Sequence, residues 1–125
     1  MIRKRILIVD DGTTIRLYYA NVLSEAGFDI HQAANGFEGL EAALTRTFDL
    51  MLVDVNMPKM DGYELVARLR GEDSLKTLPI VMISTESSEQ HAAKAYRCGS
   101  NLFLFKPVAP DELAATARLM TGLAA

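Results

Sequence analysis

The chain has 125 residues, which suits one compact domain over residues 1–125, and half of them are hydrophobic. Thirteen Lys and Arg residues against 16 Asp and Glu residues give a net charge of −3, which argues against a general nucleic-acid-binding protein. No apolar run approaches the roughly 18 residues that span a bilayer, and the single cysteine, Cys98, excludes an internal disulfide, so we expect a soluble protein in the reducing cytoplasm.

Short apolar runs alternate with longer amphipathic segments along the whole chain. Four runs are continuous, as expected for strands covered on both faces, and a fifth, weaker run is expected at an edge of the sheet. In chain order the pattern predicts a strand at Ile6–Val9, a helix at Thr14–Ala26, the weaker strand at Asp29–Ala33, a helix from the Asn35 cap to about Thr45, a strand at Leu50–Val53, a helix from about Tyr63 to Arg70, a strand at Ile80–Ile83, a helix from the Ser87/Ser88 cap to Gly99, a strand at Leu102–Phe105 and a helix from Pro110 towards Leu123.

This order predicts an α/β fold built from five βα units. Such an alternation favours a parallel sheet with right-handed crossovers and helices on both faces, a doubly wound three-layer sandwich. In sheets of this kind functional residues lie beyond the carboxyl ends of the strands.

Polar side chains stand at these strand ends. Asp10 and Asp11 follow the first strand, and Asp54 follows the third. Ser84 and Lys106 follow the fourth and fifth. We expect these side chains to meet at one rim of the sheet.

The chemistry of such a cluster is restricted. Three carboxylates repel one another, so they bind either protons or a cation. Oxygen ligands without His or Cys suit a hard ion such as Mg²⁺. An aspartate can attack phosphorus, and the lysine and a metal ion would then offset the charge on the transferred group.

The strings ILIVDD, LVDVNMPKMDG, MIST and LFLFKP resemble the receiver domains of bacterial response regulators, and the resemblance covers essentially the whole chain. It implies a flavodoxin-like sheet with strand order 2-1-3-4-5. It also implies that Asp54 is the phosphoacceptor. By the same resemblance Asp11 and Asp54 bind Mg²⁺ directly, Asp10 acts through water, the Asn56 carbonyl completes the protein ligands, Ser84 is the switch hydroxyl, Lys106 pairs with the phosphoryl group, the Lys106–Pro107 bond is cis and Phe103 is the aromatic switch residue.

The resemblance further implies a signalling cycle. A phosphohistidine on a sensor histidine kinase or a histidine phosphotransfer domain would be the donor. Ser84 would then turn to the new phosphoryl group, and Phe103 would move inward. The surface formed by the fourth helix, fifth strand and fifth helix would bind a downstream protein. The domain would be a monomer or a phosphorylation-dependent dimer. The residues expected on that surface are Glu86, Lys94, Leu102, Ala109, Ala114 and Arg118.

Several residues have plainer interpretations. Phe103 could be a core residue only, and Asp61 a cap of the third helix. Cys98 is read as a small buried hydrophobic residue, and His31 and His91 as surface residues without metal-ligand spacing. Gly12 and Thr85 depart from the family pattern beside the site, which puts donor docking and the dephosphorylation rate in doubt.

Alternative functions stay open. The chain is expected to catalyse only its own phosphorylation and dephosphorylation, as a stand-alone chemotaxis-type regulator or as the receiver segment of a larger protein. An aspartate-nucleophile phosphohydrolase is a rival, although its nucleophile normally follows the first strand. A nucleotide-binding module is disfavoured because no glycine-rich phosphate loop follows that strand. A receiver-like domain that is never phosphorylated is disfavoured because all the key residues are present.

Overall fold

The structure is a computed structural model that describes residues 3–86 and 88–123. Its longest helix has 13 residues, and in the described part of the chain no helix is long and apolar enough to cross a membrane. In chain order the elements are β1 Arg5–Val9, α1 Thr13–Glu25, β2 Asp29–Ala33, α2 Gly36–Thr45, β3 Leu50–Asp54, α3 Gly62–Arg70, a short 3₁₀ helix Asp73–Leu75, β4 Ile80–Ser84, α4 Glu89–Cys98, β5 Leu102–Phe105 and α5 Pro110–Met120.

The five strands form one parallel sheet in the order β2-β1-β3-β4-β5, which confirms the expected topology. The weakly apolar β2 lies at an edge, as its composition predicts. Successive side chains of a strand point to opposite faces, so each strand contributes to two cores. In β1, Ile6 and Ile8 pack with α1 and α5, whereas Leu7 and Val9 pack with α2, α3 and α4.

Local caps explain where the helices begin. The Asn35 side chain accepts a hydrogen bond from the Glu38 amide at 2.8 Å, and the Glu38 carboxylate accepts one from the Ala34 amide at 2.9 Å. Asp61 accepts from the Glu64 amide at 2.9 Å, which confirms it as the cap of α3. Ser88 caps α4, and the predicted alternative, Ser87, lies outside the described residues. These bonds satisfy amides that the first turn leaves unpaired.

The last helix is shorter than the sequence predicts. The expectation that α5 runs towards Leu123 is wrong, because it ends at Met120. The Thr121 hydroxyl donates to the Ala117 carbonyl at 2.7 Å, and Gly122 has a φ of 80°. A left-handed residue of this kind terminates a helix.

Candidate functional site

The parallel register brings the ends of β1, β3 and β4 to one rim. Val9 of β1 pairs with Val53 of β3, and Asp54 pairs with Ile83. As a result Asp10, Asp11 and Asp54 each offer a carboxylate oxygen, and these oxygens all lie within 4.8 Å of one another. The predicted convergence of the three acids is therefore present.

Lys106 links two of these acids from the end of β5. Its Nζ lies 2.9 Å from Asp54 Oδ1 and 3.3 Å from Asp10 Oδ2. Asp10 Oδ1 accepts a second bond from the Gly12 amide at 2.9 Å. Asp10 is thus held at both oxygens and is 2% exposed, while Asp54 is 5% exposed and Asp11 is open to solvent.

The shifts in pKa reflect one cation shared among several acids. Burial raises the pKa of Asp54, and Asp10 and Asp11 raise it further, while the hydrogen bond and charge of Lys106 only partly oppose them. Burial lowers the pKa of Lys106, but Asp54 and Asp10 outweigh it, so the net pKa is raised. Burial is thus the main cause of the raised pKa of Asp54, whereas the neighbouring carboxylates are the cause of the raised pKa of Lys106.

The donor set suits a hard divalent cation. Three carboxylates against one ammonium leave negative charge that a cation would neutralise, and every candidate ligand atom is oxygen. Asp11, being exposed, and Asp54 are placed to bind such an ion, with Asp10 beside them. Asn56 is exposed two residues beyond β3, and the use of its carbonyl as a ligand stays a prediction.

Ser84 lies at the same rim but already has a partner. It is fully buried, and its Oγ accepts a hydrogen bond from the Glu86 amide at 2.9 Å. Its carbonyl accepts from the Lys106 amide at 2.8 Å, which ties the two strand ends together. The Lys106–Pro107 peptide is cis, as expected. Thr85 is exposed beside Ser84.

Phe103, the expected aromatic switch residue, has the burial of a core residue. Its side chain is already 7% exposed and lies in the core with Ala95 of α4. Its ring also contacts the ring of Phe105, with centroids 5.5 Å apart. The inward movement of Phe103 after phosphorylation stays a prediction.

The residues expected on the partner surface lie on α4, β5, α5 and the adjoining loops. Glu86, Lys94 and Ala109 are exposed, whereas Leu102, Ala114 and Arg118 are half-buried. Lys94 also has a structural contact, because its ammonium lies 4.5 Å from the centre of the Tyr63 ring. The three exposed residues are thus the more accessible part of that surface.

The histidines and the cysteine lie away from the acidic cluster. His31 is half-buried and faces two guanidinium groups, Arg5 at 3.1 Å and Arg46 at 3.3 Å. Such cationic neighbours do not suit a metal ligand. His91 is half-buried on α4 beside Ser88, and the Cys98 thiol donates to the Ala95 carbonyl at 3.1 Å.

Gly62 was identified only as part of the string LVDVNMPKMDG, and the contacts of Arg16 and Tyr18 that support the site were not identified from the sequence. Gly62 lies so close to the phosphoacceptor candidate that a Cβ there would be 2.4 Å from the Asp54 carbonyl oxygen. Arg16 donates to the Asp10 carbonyl at 2.8 Å, and Tyr18 donates to the Val108 carbonyl at 2.9 Å. The Asp-Gly pair after Pro58 was a usable signal for Gly62; the other two contacts have no local sequence signal.

Residues 6–118 match the family described as the response regulator receiver domain. The chemotaxis protein CheY1 of Helicobacter pylori J99 is 34% identical over 121 residues, 94% of this chain and 97% of that protein. The sensor protein EvgS of Escherichia coli K12 is 40% identical over 108 residues, which are 86% of this chain but only 9% of that protein. Among solved structures, chemotaxis protein CheY4 of Vibrio cholerae superimposes with a TM-score of 0.91 at 34% identity, covering 95% of this chain and 99% of that one. A receiver domain protein of Methanospirillum hungatei gives a TM-score of 0.89 at 28% identity, covering 97% and 95%.

Proposed function

The chain belongs to the response regulator receiver domain family of two-component systems, and from this premise we propose that Asp54 accepts a phosphoryl group from a phosphohistidine donor with the help of Mg²⁺. The observation that carries the proposal is the position of Asp54. It is the one acid of the cluster that belongs to a central strand, it contacts Lys106 at 2.9 Å, and it lies within reach of both other carboxylates.

The chain's own residues account for most of the chemistry. An Asp54 carboxylate oxygen attacks phosphorus, the P–O bond forms, and the P–N bond to the donor histidine breaks, so that the imidazole leaves and takes up a proton. The Lys106 ammonium contacts the Asp54 carboxylate before the reaction, and it pairs with the phosphoryl oxygens as their charge develops. A bound Mg²⁺ would supply the remaining positive charge. Asp11, Asp54 and the Asn56 carbonyl would bind this ion directly, and Asp10 would act through water.

We propose that phosphorylation of Asp54 changes the rest of the domain through Ser84 and the loop that follows β4. The Ser84 hydroxyl is bonded to the Glu86 amide, so turning to a phosphoryl oxygen breaks that bond and frees the loop before α4. The added charge of about −1.5 to −2 favours the exchange. Phe103 then moves further inward and fills the space that the Ser84 hydroxyl leaves.

The partners follow from this cycle. A sensor histidine kinase or a histidine phosphotransfer domain donates the phosphoryl group, and a downstream protein binds the α4-β5-α5 surface, with the domain a monomer or a phosphorylation-dependent dimer. We propose a chemotaxis-type regulator, because CheY1 matches along nearly the whole of both chains. The alternative is a receiver segment of a larger protein, and the match to a small part of EvgS supports it. Neither nucleic-acid binding nor turnover of a free substrate is part of the proposal, and the cytoplasm stays the expected compartment.

Incubation with acetyl phosphate or phosphoramidate and Mg²⁺, followed by intact mass measurement, tests the proposal. The wild-type chain is expected to gain one phosphoryl group, and Asp54→Asn to gain none. Asp73→Asn, an exposed acid in the 3₁₀ helix, is the matched control and is expected to behave as wild type. Phosphorylation of Asp54→Asn at the wild-type rate would refute the assignment, and repeated turnover of a small phosphate ester would favour the phosphohydrolase.

A further inference from the structure

Arg16 reaches from α1 back to the end of β1. Its amide donates to the Gly12 carbonyl at 3.0 Å, which places it in the first turn of the helix. Its Nη1 donates to the Asp10 carbonyl at 2.8 Å, and its Nε donates to Gln32 Oε1 of β2 at 3.1 Å. The guanidinium is therefore held between a strand-end carbonyl and an edge-strand side chain.

The peptide that joins Asp10 to Asp11 is fixed by these contacts. The Asp10 amide donates to the Ala33 carbonyl at 3.2 Å, and the Asp10 carboxylate accepts from the Gly12 amide at 2.9 Å. The Arg16 bond fixes the remaining group, the Asp10 carbonyl. Because a peptide unit is planar, fixing that carbonyl also fixes the direction in which the chain enters Asp11.

Asp11 depends on this backbone more than its neighbours do. Asp10 and Asp54 are buried and both contact Lys106, whereas the Asp11 side chain is exposed. Surrounding side chains therefore restrict Asp11 less than they restrict the other two acids. The direction of the main chain at Asp11 therefore has a larger part in placing its carboxylate near the other two.

We propose that Arg16 is a positioning residue for divalent cation binding: it orients the Asp11 carboxylate through the Asp10–Asp11 peptide, and Gln32 holds the guanidinium in place. The inference rests on the proposed function, since the cation site is part of it. Arg16 is not one of the three clustered acids: its guanidinium donates to the Asp10 carbonyl and to Gln32. Its role was not expected from the sequence.

The sign of the effect separates positioning from simple charge. A positive guanidinium beside a cation site repels the cation, so Coulomb's law alone predicts tighter Mg²⁺ binding when Arg16 is neutralised. Positioning predicts the opposite, because a misaimed Asp11 is a poorer ligand. Residues that orient a metal ligand typically change metal affinity by roughly tenfold or more when removed.

The test is a Mg²⁺ titration at fixed ionic strength, followed by calorimetry and by the amide NMR shifts around Asp11. Arg16→Met is expected to raise the half-saturating Mg²⁺ concentration roughly tenfold, and Arg16→Lys, which keeps the charge but not the two-pronged geometry, to raise it less. Gln32→Ala removes only the anchor of the guanidinium and is expected to shift binding in the same direction. Arg68→Met makes the same charge change at an exposed pair with Glu64 and is expected to leave Mg²⁺ affinity unchanged.

Activity gives a second readout. With a small phosphoryl donor, the Arg16 variants are expected to need more Mg²⁺ for half-maximal rate while approaching the wild-type rate at saturation. Equal or tighter Mg²⁺ binding by folded Arg16→Met and Gln32→Ala would overturn the inference and leave the proposed function intact. Failure of the wild-type chain itself to bind Mg²⁺ at millimolar concentration would instead overturn the proposed function.

Discussion

The Lys106 ammonium lies 2.9 Å from the Asp54 carboxylate and shares its charge with Asp10 at 3.3 Å. One cation therefore serves two buried acids, with a third acid beside them. Without a metal ion the site is short of positive charge. It follows that ionised Asp54 costs the folded chain stability and that a divalent cation restores it.

Replacing Asp54 by Asn is expected to stabilise the metal-free chain at pH 7. The folded pKa of Asp54 is raised above its ordinary value of 3.8, mainly by burial, so its destabilising effect is absent below pH 3.8 and grows as the pH rises through the folded pKa. Urea unfolding in a chelator should show the gain at pH 7 and its loss towards pH 3.8. Adding Mg²⁺ should stabilise the wild-type chain more than Asp54→Asn, and a variant that is less stable than wild type in chelator at pH 7 would contradict this account.

Tyr18→Phe is expected to lower the free energy of unfolding by about 1 kcal/mol, the usual contribution of one hydrogen bond. The Tyr18 hydroxyl donates to the Val108 carbonyl at 2.9 Å and so ties α1 to the loop that follows Lys106. The variant should also be phosphorylated more slowly by a small donor, because Lys106 is held less firmly. Tyr96→Phe, at a half-exposed side chain on α4, is the control; equal effects of the two changes would refute a specific tie.

Tyr19→Phe is expected to have the opposite sign and to stabilise the chain by about 1 kcal/mol. Tyr19 is 1% exposed, and within the described residues its hydroxyl has no hydrogen-bond partner. Burial and the charges of Asp10 and Asp54 raise its pKa, which keeps the hydroxyl protonated. Thermal or urea unfolding of the two neighbouring Tyr→Phe variants side by side gives a direct comparison, and loss of stability in Tyr19→Phe would show that the hydroxyl is in fact satisfied.

Gly62→Ala is expected to destabilise the chain by about 3 kcal/mol, because the new Cβ cannot be accommodated without moving backbone. It would meet the Asp54 carbonyl oxygen at 2.4 Å and the Val55 Cα at 2.9 Å. The folded fraction should also show slowed phosphorylation, since Asp54 must shift. At Gly71, where the nearest atom is 3.3 Å from the added Cβ, the same change is expected to cost under about 1 kcal/mol.

Arg70→Met is expected to cost about 2 to 3 kcal/mol, because it removes a charged donor from three acceptors. Its guanidinium donates to the Leu75 carbonyl at 2.7 Å, the Gly99 carbonyl at 3.0 Å and Asn101 Oδ1 at 2.9 Å, which join α3 to the ends of the 3₁₀ helix and α4. Arg68→Met is the control, because Arg68 lies on the same helix but in an exposed pair with Glu64. This change should cost no more than about 0.5 kcal/mol. Urea midpoints that do not separate the two variants would refute the structural role.

Local signals account for the parts of the fold that the sequence predicted well. The Asn35–Glu38 cap and the αL residue Gly99 act within a few residues, so their spacing is visible in the sequence. The end of α5 was placed too late because the hydrophobic pattern continues to Leu123, whereas the helix ends at Met120, just before the left-handed Gly122. For Phe103 the sequence left core and switch roles open, because a strand residue of that type suits both, and the structure shows that the ring is buried.

The order of strands and helices, read from the sequence alone, already determined that Asp10, Asp11, Asp54, Ser84 and Lys106 meet at one rim, because the carboxyl ends of parallel strands share an edge. Only the tertiary structure decided how charge and hydrogen bonds are divided there: Lys106 serves two buried acids, Asp11 is exposed, and Ser84 is bonded to Glu86. The physical reason is that such contacts depend on burial and on packing between segments far apart in the chain, and residue type and spacing encode neither.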